Sequence, residues 1–290
     1  MTFRAMALTS IIFVGLGMPV AGAQELTGTL KKIKDRGEIV IGHRESSAPF
    51  SYFDERQQAA GYSVELCQRI AEEVKKVTNT PDLRVKYVPV TGQTRIPLLT
   101  NGTVDIECGG TTNTLSRQQQ VDFGPIIFVT GTRLLVRKNS GIKEIEDIKG
   151  KRVAVVQGTT NEVQVKQLID DLKIQNVGTA NAKDHSEAML LLETDRVDVY
   201  FTEDVLLYTM LEKSRSKDEF AVVGRLLTYD PYGFMIRRDD SAFRLVASKV
   251  LAGLFRSGEI EKVYQKWFTP IGIPLNNETK AAYRLQALPE

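Results

Sequence analysis

The sequence predicts an α/β fold arranged as two similar lobes, on three observations. Strand-like and helical patterns alternate through most of the chain, as in α/β layers with mainly parallel sheets. The 290 residues are enough for two domains at roughly 100–200 residues each. A short segment also recurs: Leu98-Leu99-Thr100-Asn101-Gly102-Thr103-Val104-Asp105 resembles Leu191-Leu192-Glu193-Thr194-Asp195-Arg196-Val197-Asp198. Each copy reads as a helix end, a tight turn and a new strand, which fits two lobes better than one continuous sheet.

Taken in order, residues 1–23 read as a secretory signal peptide. Arg4 is the positive n-region, Ala5 to Val20 is mostly apolar, and Ala21-Gly22-Ala23 is an A-x-A cleavage site. Thr9, Ser10, Gly15, Gly17 and Pro19 interrupt the apolar run, which falls short of the roughly 20 residues of a membrane span. The expectation is an exported, periplasmic chain beginning at Gln24. A helical lead-in, Leu30 to Ile33, precedes a β-rich run, Glu38 to Gly42. Ser63 is placed to cap a helix whose apolar positions Val64, Cys67, Ile70, Ala71 and Val74 share one face. Leu83 to Tyr87 alternates like a strand. Arg95 to Thr100 forms a short helix stopped at Asn101-Gly102, and Val104-Asp105-Ile106 starts a strand.

Gly131 to Val136 is strand-like, and Lys151 to Val156 is a strand that breaks at Gly158-Thr159-Thr160. A helical pattern then runs through Val163, Val165, Leu168 and Ile169. Val197 to Phe201 and Tyr232 to Ile236 are strands, and Ser241 to Phe268 is helical with a break at Ser257-Gly258. Phe50, Tyr52 and Phe53 read either as lobe packing or as a wall against a ligand; Trp267-Phe268 reads as core.

Several function classes drop out on composition. Lys+Arg is 38 against Asp+Glu 36, a net charge of +2 with no run of like charge. That is no electrostatic footprint for nucleic acid. Two Cys and two His, without C-x-x-C or H-E-x-x-H, leave no expected metal site. No nucleophile elbow, phosphate-binding loop or dinucleotide fingerprint is present, so no cofactor is expected. In an oxidising compartment Cys67 and Cys108 invite a disulfide, yet buried free cysteine is also common; both readings stay open.

The stretch Gly61-Tyr62-Ser63-Val64-Glu65-Leu66, Arg95 to Leu99 and Gly102-Thr103-Val104-Asp105 resembles an extracytoplasmic solute-binding protein of the polar amino-acid class, the soluble receptors of ABC importers. The match continues through Thr111-Thr112-Asn113, Arg117, Val121-Asp122-Phe123 and Lys149 to Val155. Four further strings, His43 to Ser47, Gln93-Thr94-Arg95, Glu107-Cys108-Gly109 and Ala182 to His185, resemble the members that bind glutamate and aspartate. The resemblance implies the two-lobed periplasmic-binding-protein fold of type II, with ligand trapped in a cleft and two hinge crossings near Thr130 and Met235. The first lobe would be residues 24–130 and 236–290, and the second 131–235. It also implies a monomer that delivers an acidic amino acid to an ABC permease in the inner membrane.

An acidic amino acid brings two carboxylates and one ammonium, and burying these is costly unless each is paired. Arginine suits carboxylates because its planar guanidinium bonds them bidentately and stays charged. Arg44 follows a strand, Arg95 starts a helix, and Arg117 follows the Thr111-Thr112 loop. Ligands of open α/β sheets sit at such strand ends. The resemblance assigns Arg117 and Thr112 to the α-carboxylate, and Arg44 and Arg95 to the side-chain carboxylate. Thr160, at a helix N-terminus that favours anions, would meet the α-carboxylate on closure. His185 matches a position that contacts the ligand side chain, and can donate to a carboxylate when charged. For the ammonium, Glu203 stands where the family usually has Asp, and Asp204 follows it; either serves. Gly92 and Gly110 stand where acidic-amino-acid binders often have Ser, each losing a hydroxyl while keeping the backbone N–H.

Two rivals come from other classes. An enzyme on the same fold, such as a periplasmic dehydratase, would need a placed acid or base. Glu203 and His185 are available, but three arginines favour clamping. A ligand-sensing receptor domain would continue into a membrane helix and a signalling domain.

Overall fold

The computed structural model describes residues 25–289. The expected signal peptide, residues 1–23, lies outside the described residues. The chain begins with α1 (Gly28–Arg36), β1 (Glu38–His43), β2 (Ser46–Ser47), β3 (Ser51–Phe53) and β4 (Ala59–Ala60). It continues with α2 (Tyr62–Val77), β5 (Arg84–Pro89), α3 (Arg95–Thr100), β6 (Ile106–Glu107), α4 (Leu115–Gln118) and β7 (Val121–Thr130). Next come β8 (Thr132–Arg137), β9 (Arg152–Val156), α5 (Thr160–Asp171), β10 (Gly178–Ala182), α6 (His185–Glu193), β11 (Val199–Glu203), α7 (Asp204–Lys213) and β12 (Phe220–Val223). The chain closes with β13 (Asp230–Arg237), α8 (Ser241–Ser257), α9 (Glu259–Phe268) and α10 (Asn277–Leu285).

Two five-stranded sheets organise these elements, in the orders β5-β1-β6-β13-β7 and β10-β9-β11-β8-β12. In the first, β1 runs parallel to β5 and β6, and β13 antiparallel to β6 and β7. In the second, β9 runs parallel to β10 and β11, and β8 antiparallel to β11 and β12. The sheets are therefore alike and mixed, with parallel pairing only in the half built from βαβ units. The strands that carry the chain between lobes, β7, β8 and β13, pair antiparallel because the chain leaves and re-enters at one end of each sheet.

The short sequence repeat has a structural cause. It covers the end of α3 and the approach to β6 in one lobe, and the end of α6 and the approach to β11 in the other. Asp105 and Asp198 do the same job in each. Asp105 N–H donates to Val40 O at 2.7 Å, and its Oδ2 accepts from Val40 N at 2.9 Å. Asp198 N–H donates to Arg152 O at 2.8 Å, and its Oδ2 accepts from Arg152 N at 2.8 Å. Each aspartate thus starts a central strand by pairing with its parallel neighbour, where Ala would leave a strand-end N–H unpaired.

The chain leaves the first sheet at Thr130 and re-enters it at Asp230. Met235 lies inside β13, so β13 belongs to the first sheet from five residues before the crossing expected near Met235. A Cβ on Gly131 would sit 2.3 Å from Thr228 O, so the two crossing segments pack backbone against backbone. The helix expected to be capped by Ser63 is set differently: its N-cap is Gly61, at φ 126°. A Cβ there would lie 2.3 Å from Phe50 O, so only glycine fits this turn. Ser63 Oγ instead donates to Gly109 O at 2.9 Å, tying α2 to the loop after β6. Cys67 and Cys108 are disulfide-bonded at the same junction.

Phe50 is fully buried against Phe128, Tyr232 and Phe268, with centroids 4.9, 5.2 and 5.5 Å away. It is core and not a cleft wall. Tyr52 lies under Lys213 of the opposite lobe, Nζ 4.4 Å from the ring centroid. Phe268 is core, while half-buried Trp267 donates Nε1–H to Glu65 at 2.8 Å. Among the described residues no helix is long and apolar enough to cross a membrane.

Candidate functional site

Between the lobes lies a small cavity lined by Arg44, Arg95, Gly110, Thr112, Arg117, Thr160, His185 and Glu203, together with Ser47, Thr159 and Leu206. The first eight are residues singled out from the sequence. Asp204 does not join them. Its carboxylate accepts from Thr130 Oγ1 at 2.6 Å on the hinge, and it faces a separate pocket with Phe128 and Tyr208.

The first lobe supplies the cations. Arg44 follows β1, where its N–H donates to Ser51 Oγ at 2.8 Å. Arg95 opens α3 and is 2% exposed; its Nη1 donates to Thr111 Oγ1 at 2.7 Å, and Thr111 donates to Glu107 Oε2 at 2.7 Å. Arg117 sits on α4, whose N-cap Thr114 accepts from Arg117 N, and its Nη1 donates to Thr112 O at 2.8 Å. Among the described residues, Arg44 Nη2, Arg95 Nε and Glu107 Oε1 are buried without a hydrogen-bond partner. Burial, and then the charge of Arg95, lower the Arg44 guanidinium to about 10 and that of Arg117 to about 9. Both remain cations at neutral pH. Donors left over on crowded, desolvated cations are what a multivalent anion would satisfy.

The second lobe presents a different wall. Thr159 caps α5, its Oγ1 turned back to Val156 O at 2.6 Å, so Thr160 begins the helix at the cavity. His185 Nδ1 lies 2.6 Å from Tyr200 OH. Burial, then the charges of Arg44 and Arg95, hold its imidazole well below the usual histidine range. The charged His185 considered from sequence is therefore corrected to a neutral one, which still has one N–H to donate. Glu203 ends β11, and its Oε2 accepts from Asn161 Nδ2 at 2.8 Å and Thr202 Oγ1 at 2.7 Å.

The lobes touch directly. Gly158 O accepts from Arg95 Nη2 at 3.3 Å and Arg117 Nη2 at 3.5 Å. A Cβ on Gly92 would fall 2.2 Å from Gln157 O, and one on Gly158 would fall 2.5 Å from the Gly92 carbonyl carbon. The opposite lobe's backbone thus leaves no room for a side chain at Gly92. Gly110 has its own reason: a Cβ would lie 2.7 Å from the Tyr232 ring.

Three participants have no spacing that reveals them. Glu107 and Thr111 brace Arg95, and Asp230, fully buried, accepts from Thr112 Oγ1 at 3.3 Å. Burial, then the charge of Glu203, push the Asp230 carboxyl up to about 6. The signal for Glu107 was an acid at the end of a buried strand; Asp230 gave none, since only the return crossing brings it here.

Two mixed α/β lobes closing on a charged cavity define a ligand-trapping binding protein. Residues 39–270 match the model for bacterial extracellular solute-binding proteins, family 3, and the chain belongs to that family. It is 46% identical to the L-glutamate/L-aspartate-binding protein of Pseudomonas aeruginosa, covering 92% of this chain and 90% of that one. It is 41% identical to the glutamate/aspartate import solute-binding protein of Escherichia coli K12, covering 95% of each. A solved ancestral arginine-binding protein bound to arginine superposes with TM-score 0.72 at 30% identity, covering 80% of this chain and 99% of that one.

Proposed function

We propose that this protein is the substrate-binding subunit of an amino-acid ABC importer, and that it captures L-glutamate or L-aspartate between its lobes for delivery to a membrane permease. The observation that carries the reading is the trio Arg44, Arg95 and Arg117, buried on one wall, with Arg44 Nη2 and Arg95 Nε left without a partner. Arg117 and Thr112, with the α5 N-terminus at Thr160, hold the α-carboxylate. Arg44 and Arg95 hold the side-chain carboxylate, with the neutral His185 N–H beside them. Glu203 takes the ammonium; the hinge position of Asp204 argues against it. The curated relatives are substrate-binding proteins, which supports this reading over a dehydratase. The chain acts in the periplasm, as a monomer, after removal of residues 1–23.

A ligand that touches both walls binds the closed form better than the open one, and can shift the equilibrium only by that difference. L-glutamate should make the protein more compact in small-angle scattering and raise its Tm. Thr160→Ala and Glu203→Ala should weaken both effects. An unchanged scattering profile at saturating glutamate, with binding verified by calorimetry, would mean that one lobe alone forms the site.

A further inference from the structure

A row of hydrogen-bonding groups crosses the hinge and ends in a carboxyl at each side. Glu203 Oε2 meets Asn161 Nδ2 at 2.8 Å, and Asn161 Oδ1 meets Thr132 Oγ1 at 2.7 Å. Thr132 Oγ1 meets Thr228 Oγ1 at 2.9 Å, and Thr228 Oγ1 meets Asp230 Oδ2. All of these groups are buried or half-buried. The protons can be counted. With Asn161 Nδ2 donating to an ionised Glu203, its Oδ1 takes the Thr132 proton. Thr228 Oγ1 also accepts from Thr132 N–H at 2.9 Å, and where its own proton goes to Thr132 Oγ1, no hydroxyl proton remains for the contact between Thr228 and Asp230. That contact needs a proton on the Asp230 carboxyl. With the amide reversed, the hydroxyls all turn toward Asp230 and Asp230 is ionised. Asn161 Oδ1 then faces Glu203, which must carry the proton instead. Either direction leaves one proton on the pair.

Several acids act on the arginines: Glu107, Glu203 and Asp230 on Arg117, and Glu107 and Asp184 on Arg44. A proton on one of these carboxyls lowers the negative charge against which an acidic amino acid must be buried. The inference rests on the acidic-ligand reading above.

We propose that Asp230 holds a proton in the closed cleft while Glu203 meets the ligand ammonium, so that capture of an acidic amino acid takes up a proton on Asp230. Asp230 acts as a positioning residue, through Thr112 and the hinge chain. The charged and titratable groups that face it are Glu203 from β11, Arg117 from α4 and Tyr232 from its own strand, with the Gln164 amide of α5 beside it. His185 works with the opposite sign: burial, then the charges of Arg44 and Arg95, disfavour its charged form in the closed cleft, so a histidine charged in the open form gives up its proton on closure.

The sign follows from linkage. Burial in the closed cleft, then the charge of Glu203, raise the proton affinity of Asp230 above that of an ordinary carboxylate, so its part of the binding is strengthened at low pH and lost as pH rises through about 6. The Asp230 part of the affinity for L-glutamate should fall roughly tenfold from pH 5 to pH 8. Calorimetry at pH 5.5 in buffers of different ionisation heat should show the wild type taking up about 0.7 of a proton more on binding than Asp230→Asn, which can donate to Thr228 and accept from Thr112 without titrating. His185→Gln, which removes the opposing group, should show net uptake by itself. Equal proton uptake in the wild type and Asp230→Asn, or no uptake in His185→Gln, would overturn the proposal. The His185→Gln buffer series decides alone if Asp230→Asn does not fold. Failure of glutamate and aspartate to bind at either pH would overturn the ligand reading, and this inference with it.

Discussion

The first-lobe wall of the cleft carries three buried guanidiniums, of which Arg95 is braced by Thr111 and Glu107 and Arg117 by Thr112 O. The second-lobe wall carries a helix N-terminus, a neutral histidine and one carboxylate, with Gly158 pressed against Gly92. The two sheets behind these walls have the same strand plan. The difference therefore lies in the residues at strand ends and not in the architecture. One wall holds its charges in place whether or not the other is near; the other adds short-range donors that count only on contact. A ligand with two carboxylates would be held first by the charged wall, and closure would then be selected by the second.

The largest effect should come from breaking the charged wall. Arg117→Ala removes the α-carboxylate partner, and leaving a buried charge unpaired costs about 3–5 kcal/mol, a hundredfold or more. Calorimetry should show that loss for every amino acid the protein binds, since all share the group.

Arg44→Ala should come next, and should act selectively. Glutamate affinity should drop by about tenfold or more beyond any loss for glutamine, because only glutamate brings the second carboxylate. Equal losses for the two ligands would remove Arg44 from the side-chain site.

The second wall is tested through its close approach. Gly92→Val places methyl groups where Gln157 O now lies. Closure should be blocked, with about a tenfold loss for all ligands and no ligand-induced compaction in scattering, while the denaturation midpoint of the ligand-free protein stays near wild type.

The charged wall was also the legible one. Arg44 stands just past a strand and Arg95 at a helix start, positions that alternation of strand and helix reveals, and Arg117 follows the Thr111-Thr112 loop. Their braces were not legible, because Glu107, Thr111 and Asp230 meet the arginines and Thr112 through folding across sheets, with no fixed spacing along the chain. The repeat at Asp105 and Asp198 was visible because both sheets use the same local device. Ser63 misled as a cap because the constraint sat two residues earlier, where Phe50 O leaves room only for Gly61. The pair Gly92 and Gly158 could be noted from sequence only as departures; the contact between lobes supplies the reason.

The central claim is that the charge on the first wall chooses the ligand. Calorimetry of ligand-free wild-type protein against L-glutamate, L-aspartate, L-glutamine, L-arginine, L-histidine and L-leucine tests it most directly. The account predicts tightest binding of glutamate or aspartate, with glutamine weaker and the cationic and aliphatic amino acids weakest. Tightest binding of arginine, histidine or leucine would contradict it.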